Sequence, residues 1–392
     1  MNLDYYLEAL PEEFVKLSGL STVQSNIRSY TKGKDIPVLD DIKICIIGVP
    51  EDRKAVNNRG CDQGPNYIRE SLYKLHISWD NFKIADLGNI RNGETHKDTL
   101  IAVETVISYL LSNKIIPIII GGSQEITLAN YKAYINTGKI INILSVDSLF
   151  DLGTEKDDLN SKTYLSKIIL HQPNCLFNYT NMGYQTYFID QEEIRLMEKL
   201  FFDTYRLGEV RKQKRKFEPL IRSSDIISFD VSSIKISDAP GSGNAGPNGF
   251  DSVDACQIAR YAGLSQRVTS FGVYETNPRF DVRNQTSMLV AQMIWCFLEG
   301  FSHRDKDNPA HNIEKFQKFY VKFTDDNEDF AEELLFYKNI YNGSWWMEIP
   351  LPSKNGNKKT EPYIVPCSEK DFDNAKNNII PERWFQFYKK LL

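Results

Sequence analysis

The chain has 392 residues, its 52 acidic and 47 basic side chains leave a net charge of −5, and 41% of its residues are hydrophobic and 12% aromatic. That much apolar surface excludes a disordered chain, and mild acidity excludes a general polyanion binder, whose affinity rests on lysine and arginine displacing counterions from phosphates. No run approaches the roughly 18 apolar residues that span a bilayer, and the first ten residues carry Asp4 and Glu8 where a secretory signal carries basic groups, so a cytoplasmic protein without a membrane span is expected.

In chain order, residues 42–49 (IKICIIGV) form an apolar run closed by Gly48 and Pro50, long enough for a buried strand and too short for a helix. The pattern then alternates. Apolar residues at three- and four-residue spacing predict helices over 66–75, 98–111, 126–135, 252–264 and 285–301. Between them, short apolar runs predict strands over 83–87, 115–120, 140–146, 226–229 and 268–273. Continuous apolar strands alternating with helices require a parallel sheet covered on both faces, so the fold class is α/β, a three-layer αβα arrangement around a central, mostly parallel sheet. In such sheets ligands lie beyond the carboxyl ends of the strands, where Asp147, Asp230 and Glu275 fall. The plainer alternative is that each acid caps the turn that follows it.

Beyond residue 301 the pattern changes, which divides the chain into an N-terminal segment (1–41), an α/β domain (42–303) and a C-terminal extension (304–392) packing on the core or on a partner. The extension predicts strands over 334–340, 344–349 and 363–365 around turns at Asn342-Gly343 and Asn355-Gly356, then a helix over 381–391 with proline in its first turn. Trp345, Trp346, Trp384 and Phe385 are expected to pack this extension against the main domain. The basic run 210–216, with Arg211, Lys212, Lys214, Arg215 and Lys216, lacks interleaved aromatics and reads as a solvated helix face, so no nucleic acid partner is expected. The glycine-rich segment 241–249 lacks the lysine of a nucleotide loop and reads as an irregular loop over the site. Six cysteines (Cys45, Cys61, Cys175, Cys256, Cys296, Cys367) lie far apart, without the spacing of zinc or redox motifs, and are expected as reduced thiols.

Three segments, GVPED at 48–52, NRGCDQGPNYIRESL at 58–72 and DLGNI at 86–90, precede three strand-end motifs that together resemble the ureohydrolase superfamily of arginases, agmatinases and formimidoylglutamases, most closely the formimidoylglutamase-like branch. The resemblance covers about 42–301 and implies an arginase-like fold. In that family two histidines and four aspartates hold a pair of Mn²⁺ ions, whose bridging hydroxide attacks a guanidinium or formimino carbon. Here the Gly-Gly-Asp-His-Ser motif reads Gly121-Gly122-Ser123-Gln124-Glu125, and the Asp-Ala-His-x-Asp motif reads Asp147-Ser148-Leu149-Phe150-Asp151. The third motif reads Ser228-Phe229-Asp230-Val231-Ser232-Ser233-Ile234-Lys235, with Asp230 kept, Ser232 at the second aspartate and Lys235 at the last.

By that resemblance three ligand positions survive, Asp147, Asp151 and Asp230, while Gln124, Leu149 and Ser232 replace the others. A second metal is not expected. What remains implies no cofactor, or a single weak Mn²⁺ or Mg²⁺ on Asp147, Asp151 and Asp230, with Gln124 or Glu125 completing the shell. The expected function is a catalytically inactive pseudoenzyme acting as a binding or scaffold protein, with a protein partner or homo-oligomer. The alternative is a metal-dependent hydrolase of formimidoylglutamate or another guanidino or amidino compound. Three clustered carboxylates repel by roughly a few kcal/mol per pair at an effective dielectric near 20, so a cation, a retained proton or the lysine at Lys235 must compensate. Glu275, where the family places a carboxylate for its cationic substrate, and Asn244 of the glycine-rich loop are the candidate pocket for a small cationic ligand.

Overall fold

The apolar runs of the sequence become the middle of one large sheet. In the computed structural model, which describes residues 2–15, 21–77, 79–154, 156–212, 214–305, 307–323, 333–351 and 362–391, the sheet is built from β1 (Leu7–Glu8), β2 (Ile27–Ser29), β3 (Ile42–Val49), β4 (Lys83–Ile90), β5 (Ile116–Gly121), β6 (Ile141–Val146), β7 (Leu176–Tyr184), β8 (Asp203–Arg206), β9 (Ile226–Asp230) and β10 (Ser270–Tyr274). Their order is β1-β4-β3-β5-β10-β9-β6-β7-β8, with β2 also paired to β4. Only the short β1 is antiparallel to its neighbour. Every position of β5, β6, β9 and β10 is buried, which is why these strands read as unbroken apolar runs without alternation.

Side chains leave each strand on alternate faces and meet helices on both. Ile44, Ile46, Ile118, Ile120 and Phe271 pack under helices Gly64–Leu72, Ser252–Leu264 and Gln285–Ser302. Cys45, Ile47, Val49 and Ile119 face His96–Ser112 and Ile126–Lys132 on the other side. The expected three-layer fold is therefore present. The sequence reading missed β7 and β8, because Asn178, Thr180 and Asn181 interrupt the apolar pattern of β7. These polar groups are buried with partners: Asn178 donates to Asp203 at 2.7 Å and Asn181 to the Leu149 carbonyl at 2.7 Å.

The extension forms a separate antiparallel sheet of β11 (Phe316–Lys322), β12 (Glu333–Asn339), β13 (Trp345–Ile349) and β14 (Tyr363–Cys367), followed by helices Glu369–Lys376 and Glu382–Leu391. Strand β11 and the first of these helices had no clear sequence signal. The expected turn at Asn355-Gly356 lies outside the described residues. Trp345, Trp346 and Trp384 are buried, but mainly among the extension's own apolar side chains and not in the core of the main domain as expected, and Phe385 is exposed, with the Lys389 ammonium 4.3 Å from its ring centre. It sits on the outer face of the last helix, whose inner face carries Trp384 and Phe387. The extension docks through charged side chains as well as apolar ones. Arg222 donates to the Trp345 carbonyl at 3.1 Å and lies 4.7 Å over the Trp346 ring, while Arg267 reaches the Tyr363 hydroxyl at 3.1 Å. In the basic run, Arg211 is paired with Asp251 and Asp254; the side chains of 213–216 are outside the described residues. No helix among the described residues is long and apolar enough to cross a membrane.

Candidate functional site

Strands β5, β10, β9 and β6 are consecutive in the sheet, and their register sets their carboxyl ends level, with Tyr274 opposite Asp230 and Val146 opposite Phe229. The residues just beyond therefore converge: Gln124 after β5, Glu275 after β10, Asp230 ending β9, and Asp147 with Asp151 after β6. One carboxylate oxygen from each of Asp147, Asp151 and Asp230 lies within 4.8 Å of the other two, and all three residues are buried. Two of the site's acids adopt left-handed backbone, Asp151 at φ +54° and Glu275 at φ +68°. For a residue with a Cβ this conformation costs on the order of 1 kcal/mol and persists only where surroundings hold it. Both backbone groups of Glu275 are held, its N–H by the Gly122 carbonyl at 2.8 Å and its carbonyl by the Asn58 side chain at 2.9 Å.

The cation among these acids is Lys162. Its ammonium lies 3.6 Å from Asp151 Oδ1 and 4.0 Å from Asp230 Oδ2. About 21% of the side chain is accessible, along the methylene stem, while the nitrogen itself is shielded from water. Its backbone is fixed just ahead of helix Tyr164–Ile169, where the Lys162 N–H donates to Asn160 Oδ1 at 2.8 Å and the Ser161 N–H donates to the Lys54 carbonyl. Lys235, expected as the compensating charge, instead pairs with Asp238 at 3.4 Å beside the glycine-rich loop. The third motif leaves the sheet in a short 3-10 turn (Val231–Ser233), so Lys235 falls beyond the strand tips. Nothing in the sequence marked Lys162, since a lysine in a polar loop before a helix reads as solvated.

Charge balance in this cluster is incomplete. Burial, then Asp151 and Asp230, push the Asp147 carboxyl well above the usual range; burial raises Asp151 to about 6 against the pull of Lys162. Asp230 is raised by burial, tempered by Lys162. Burial opposes the charge on Lys162, yet attraction from Asp151, Asp230 and Asp147 overcomes it and holds the ammonium above the ordinary lysine range. Asp147 Oδ2, both Asp151 oxygens, Asp230 Oδ2, Gln124 Oε1 and Ser232 Oγ are buried without a hydrogen-bond donor.

Glu275 is fully buried. One oxygen accepts from the Gln124 N–H at 2.8 Å and the other from Asn58 Nδ2 at 2.7 Å, while burial and then Asp230 raise its carboxyl to about 8. Asn244 turns its amide to the Val56 carbonyl at 3.0 Å. The two residues of the expected cation pocket are thus joined through Asn58, which accepts from the Gly243 N–H at 2.8 Å, and both brace the glycine-rich loop. Gln124 donates to Ser228 at 2.9 Å. Glu125 points away from the trio, accepting from Ser123 at 2.7 Å and meeting His96 Nε2 at 3.1 Å.

The arginase family model matches residues 42–299, which takes in the sheet from β3 to β10 and every residue of this cluster. The chain belongs to the arginase family. Its sequence relatives include formimidoylglutamases of Clostridium tetani, 26% identical over 268 residues (63% of this chain, 78% of that protein), and Staphylococcus haemolyticus, 25% identical over 272 residues (67% and 87%). Among solved structures, Trypanosoma cruzi formiminoglutamase with Mn²⁺ superposes with a TM-score of 0.63 at 22% identity, covering 69% of this chain and all of that one. Bacillus subtilis formimidoylglutamase gives 0.62 at 20%, covering 75% and 98%. The structural likeness shows the fold; the family model and the sequence relatives place the chain in the ureohydrolase superfamily, in its formimidoylglutamase-like branch.

The donors do not fit the family's metal pair. The Leu149 side chain has no lone pair; its backbone N–H donates to Asp147 Oδ1 at 2.9 Å and its carbonyl accepts from Asn181. Gln124 and Ser232 offer one weak neutral oxygen each, where the family's pattern has an imidazole and a carboxylate. The unpartnered oxygens around Asp147, Asp151 and Asp230 are of the kind one hard cation takes, and the Lys162 ammonium already lies among them.

Proposed function

We propose that this chain is an arginase-family protein without the family's hydrolytic chemistry, a folded binding or scaffold protein in which an internal ammonium does the electrostatic work of a metal. The observation carrying this reading is Lys162 within 4.0 Å of two of the three remaining acids, beside a leucine at a ligand position. Hydrolysis in this family needs a metal-activated water. A lysine ammonium can neutralise carboxylates but supplies no Lewis acid and no acidic coordinated water.

The test is metal content and turnover measured on the same preparation. Protein loaded with excess Mn²⁺ and desalted is expected to carry less than one equivalent by elemental analysis. It should release no formamide, ammonia or urea from formimidoylglutamate or from guanidino compounds. Two manganese ions per chain with turnover would refute the reading. The unpartnered acid oxygens support a second reading, a hydrolase working with one hard cation; stoichiometric uptake of a single ion together with product release would select it.

A further inference from the structure

Helices Ser252–Leu264 and Gln285–Ser302 follow β9 and β10, which are neighbouring parallel strands, so the helices return over one face of the sheet parallel to each other. Their backbones touch. A Cβ placed on Gly300 would stand 2.3 Å from the Arg260 carbonyl oxygen, and one on Gly263 would stand 2.1 Å from that of Phe297. Arg260 also pairs with Glu299 at 2.7 Å across the seam. One helical turn before Arg260 is Cys256, and one turn before Gly300 is Cys296. The parallel register therefore brings these two side chains face to face, one turn from the closest approach.

Both are only partly buried, whereas Cys45, Cys61, Cys175 and Cys367 are buried. The two thiols lie close enough to shift each other's ionisation, and both pack on the same core cluster. The neighbouring Cys256 thiol holds the Cys296 thiol below its ordinary range, Arg260 adds to this, and burial and Glu299 oppose it; the proximity of Cys296, with burial, raises Cys256. Cys296 is then the sulfur that ionises first and Cys256 the partner beside it, the arrangement of an attacking and a resolving thiol.

We propose that Cys256 and Cys296 are an oxidation site, a dithiol that a hydroperoxide converts to a disulfide stapling the two helices. In the first step the Cys296 thiolate attacks the terminal peroxide oxygen. The O–O bond breaks, the sulfur becomes a sulfenic acid, and the departing oxygen takes a proton to leave as water or an alcohol. In the second, Cys256 sulfur attacks the sulfenic sulfur; the S–S bond forms, the S–O bond breaks, and the hydroxyl leaves with the Cys256 proton as water. Two thiols are oxidised and one peroxide is reduced. Exchange with an external dithiol reverses the change. The staple would join the helix behind Asp230 to the helix behind Glu275, and it depends on neither reading of the acid cluster.

The experiment uses the full chain, reduced and then treated with hydrogen peroxide. The expected result is loss of two titratable thiols, a linked peptide containing Cys256 and Cys296 by mass spectrometry, and a rise in melting midpoint that dithiothreitol reverses, because a cross-link restricts the unfolded chain. In Cys256→Ser the oxidised Cys296 should be trapped by dimedone as a sulfenic acid, and Cys296→Ser should form no link. Should either serine variant fold poorly, Cys256→Ala and Cys296→Ala read the same outcomes. Linkage of any other pair, oxidation of Cys296 to sulfinic or sulfonic acid without a link, or retention of all six thiols overturns the proposal.

Discussion

Two of the buried ion clusters among the described residues are finished to different degrees. Near the first motifs, Arg69 on helix Gly64–Leu72 meets Asp86 of β4 in a two-pronged pair at 2.8 and 3.1 Å, and donates further to the Gly88 carbonyl and Asn89. Asp86 also accepts from the Tyr73 hydroxyl at 2.9 Å and the Gly88 N–H at 2.9 Å, so neither oxygen is left over. At the strand tips, Lys162 faces Asp151 and Asp230 at 3.6 and 4.0 Å, beyond hydrogen-bond length, and several acid oxygens have no donor. The difference teaches what each was shaped for. A planar guanidinium saturates its partners and fixes a helix to the sheet. The strand tips surround more oxygen than one ammonium can satisfy, so this cluster is left with unmet acceptors.

The largest effect that would test this contrast is Arg69→Met, expected to cost about 3–5 kcal/mol because Asp86 would be left charged and buried. Chemical denaturation would measure it, and a loss under about 1 kcal/mol would remove the contrast. Lys162→Ala is expected to cost less, about 1–3 kcal/mol, since acids with raised proton affinity can take up protons instead. Added Mn²⁺ or Mg²⁺ should then bind at one equivalent by calorimetry and restore stability. If no ion binds and the loss equals that of Arg69→Met, the strand-tip cluster is as fully structural as the other. Asp147→Asn should change stability by no more than about 1 kcal/mol, and in the stabilising direction, because it removes a repelling charge that Lys162 does not pair within 4.0 Å.

The smallest effect concerns another cation, the half-buried Lys390, which tucks against Asn178 from the last helix. Burial lowers its pKa from 10.5 to about 8, with Asp203 opposing. A lowered lysine means the unfolded chain binds more protons between about 8 and 10.5, so stability gains from this group as pH rises through that window. Lys390→Met should therefore exceed the wild type in melting midpoint below pH 8, with the difference narrowing toward pH 10. A gap that widens with pH would show that Lys390 stabilises as a cation.

Much of the architecture could be read from the chain alone. Residues 42–49 and 252–264 were predicted with the bounds they have, because a fully buried strand must be apolar throughout and a helix between sheet and solvent must repeat its apolar face. Strand β7 escaped because its buried asparagines are satisfied by Asp203 and by the Leu149 carbonyl, partners that exist only after folding. At the site, the three acids that meet at the strand tips stood out in the sequence, but the charge facing them did not. Lys235 had the right sign and sequence neighbourhood, yet the turn after β9 sends it to Asp238.

The amino-acid order by itself determined the family, the three-layer class and which side chains stand at the strand ends, Gln124, Leu149 and Ser232 among Asp147, Asp151 and Asp230, since these depend on side-chain type at fixed offsets from the strands. Which cation sits among the remaining acids, whether Glu275 and Asn244 open toward a ligand or brace a loop, and which two of six cysteines meet were decided by strand order and helix register. Those choices join residues far apart in sequence, and local pattern carries no record of distances that only a closed core sets.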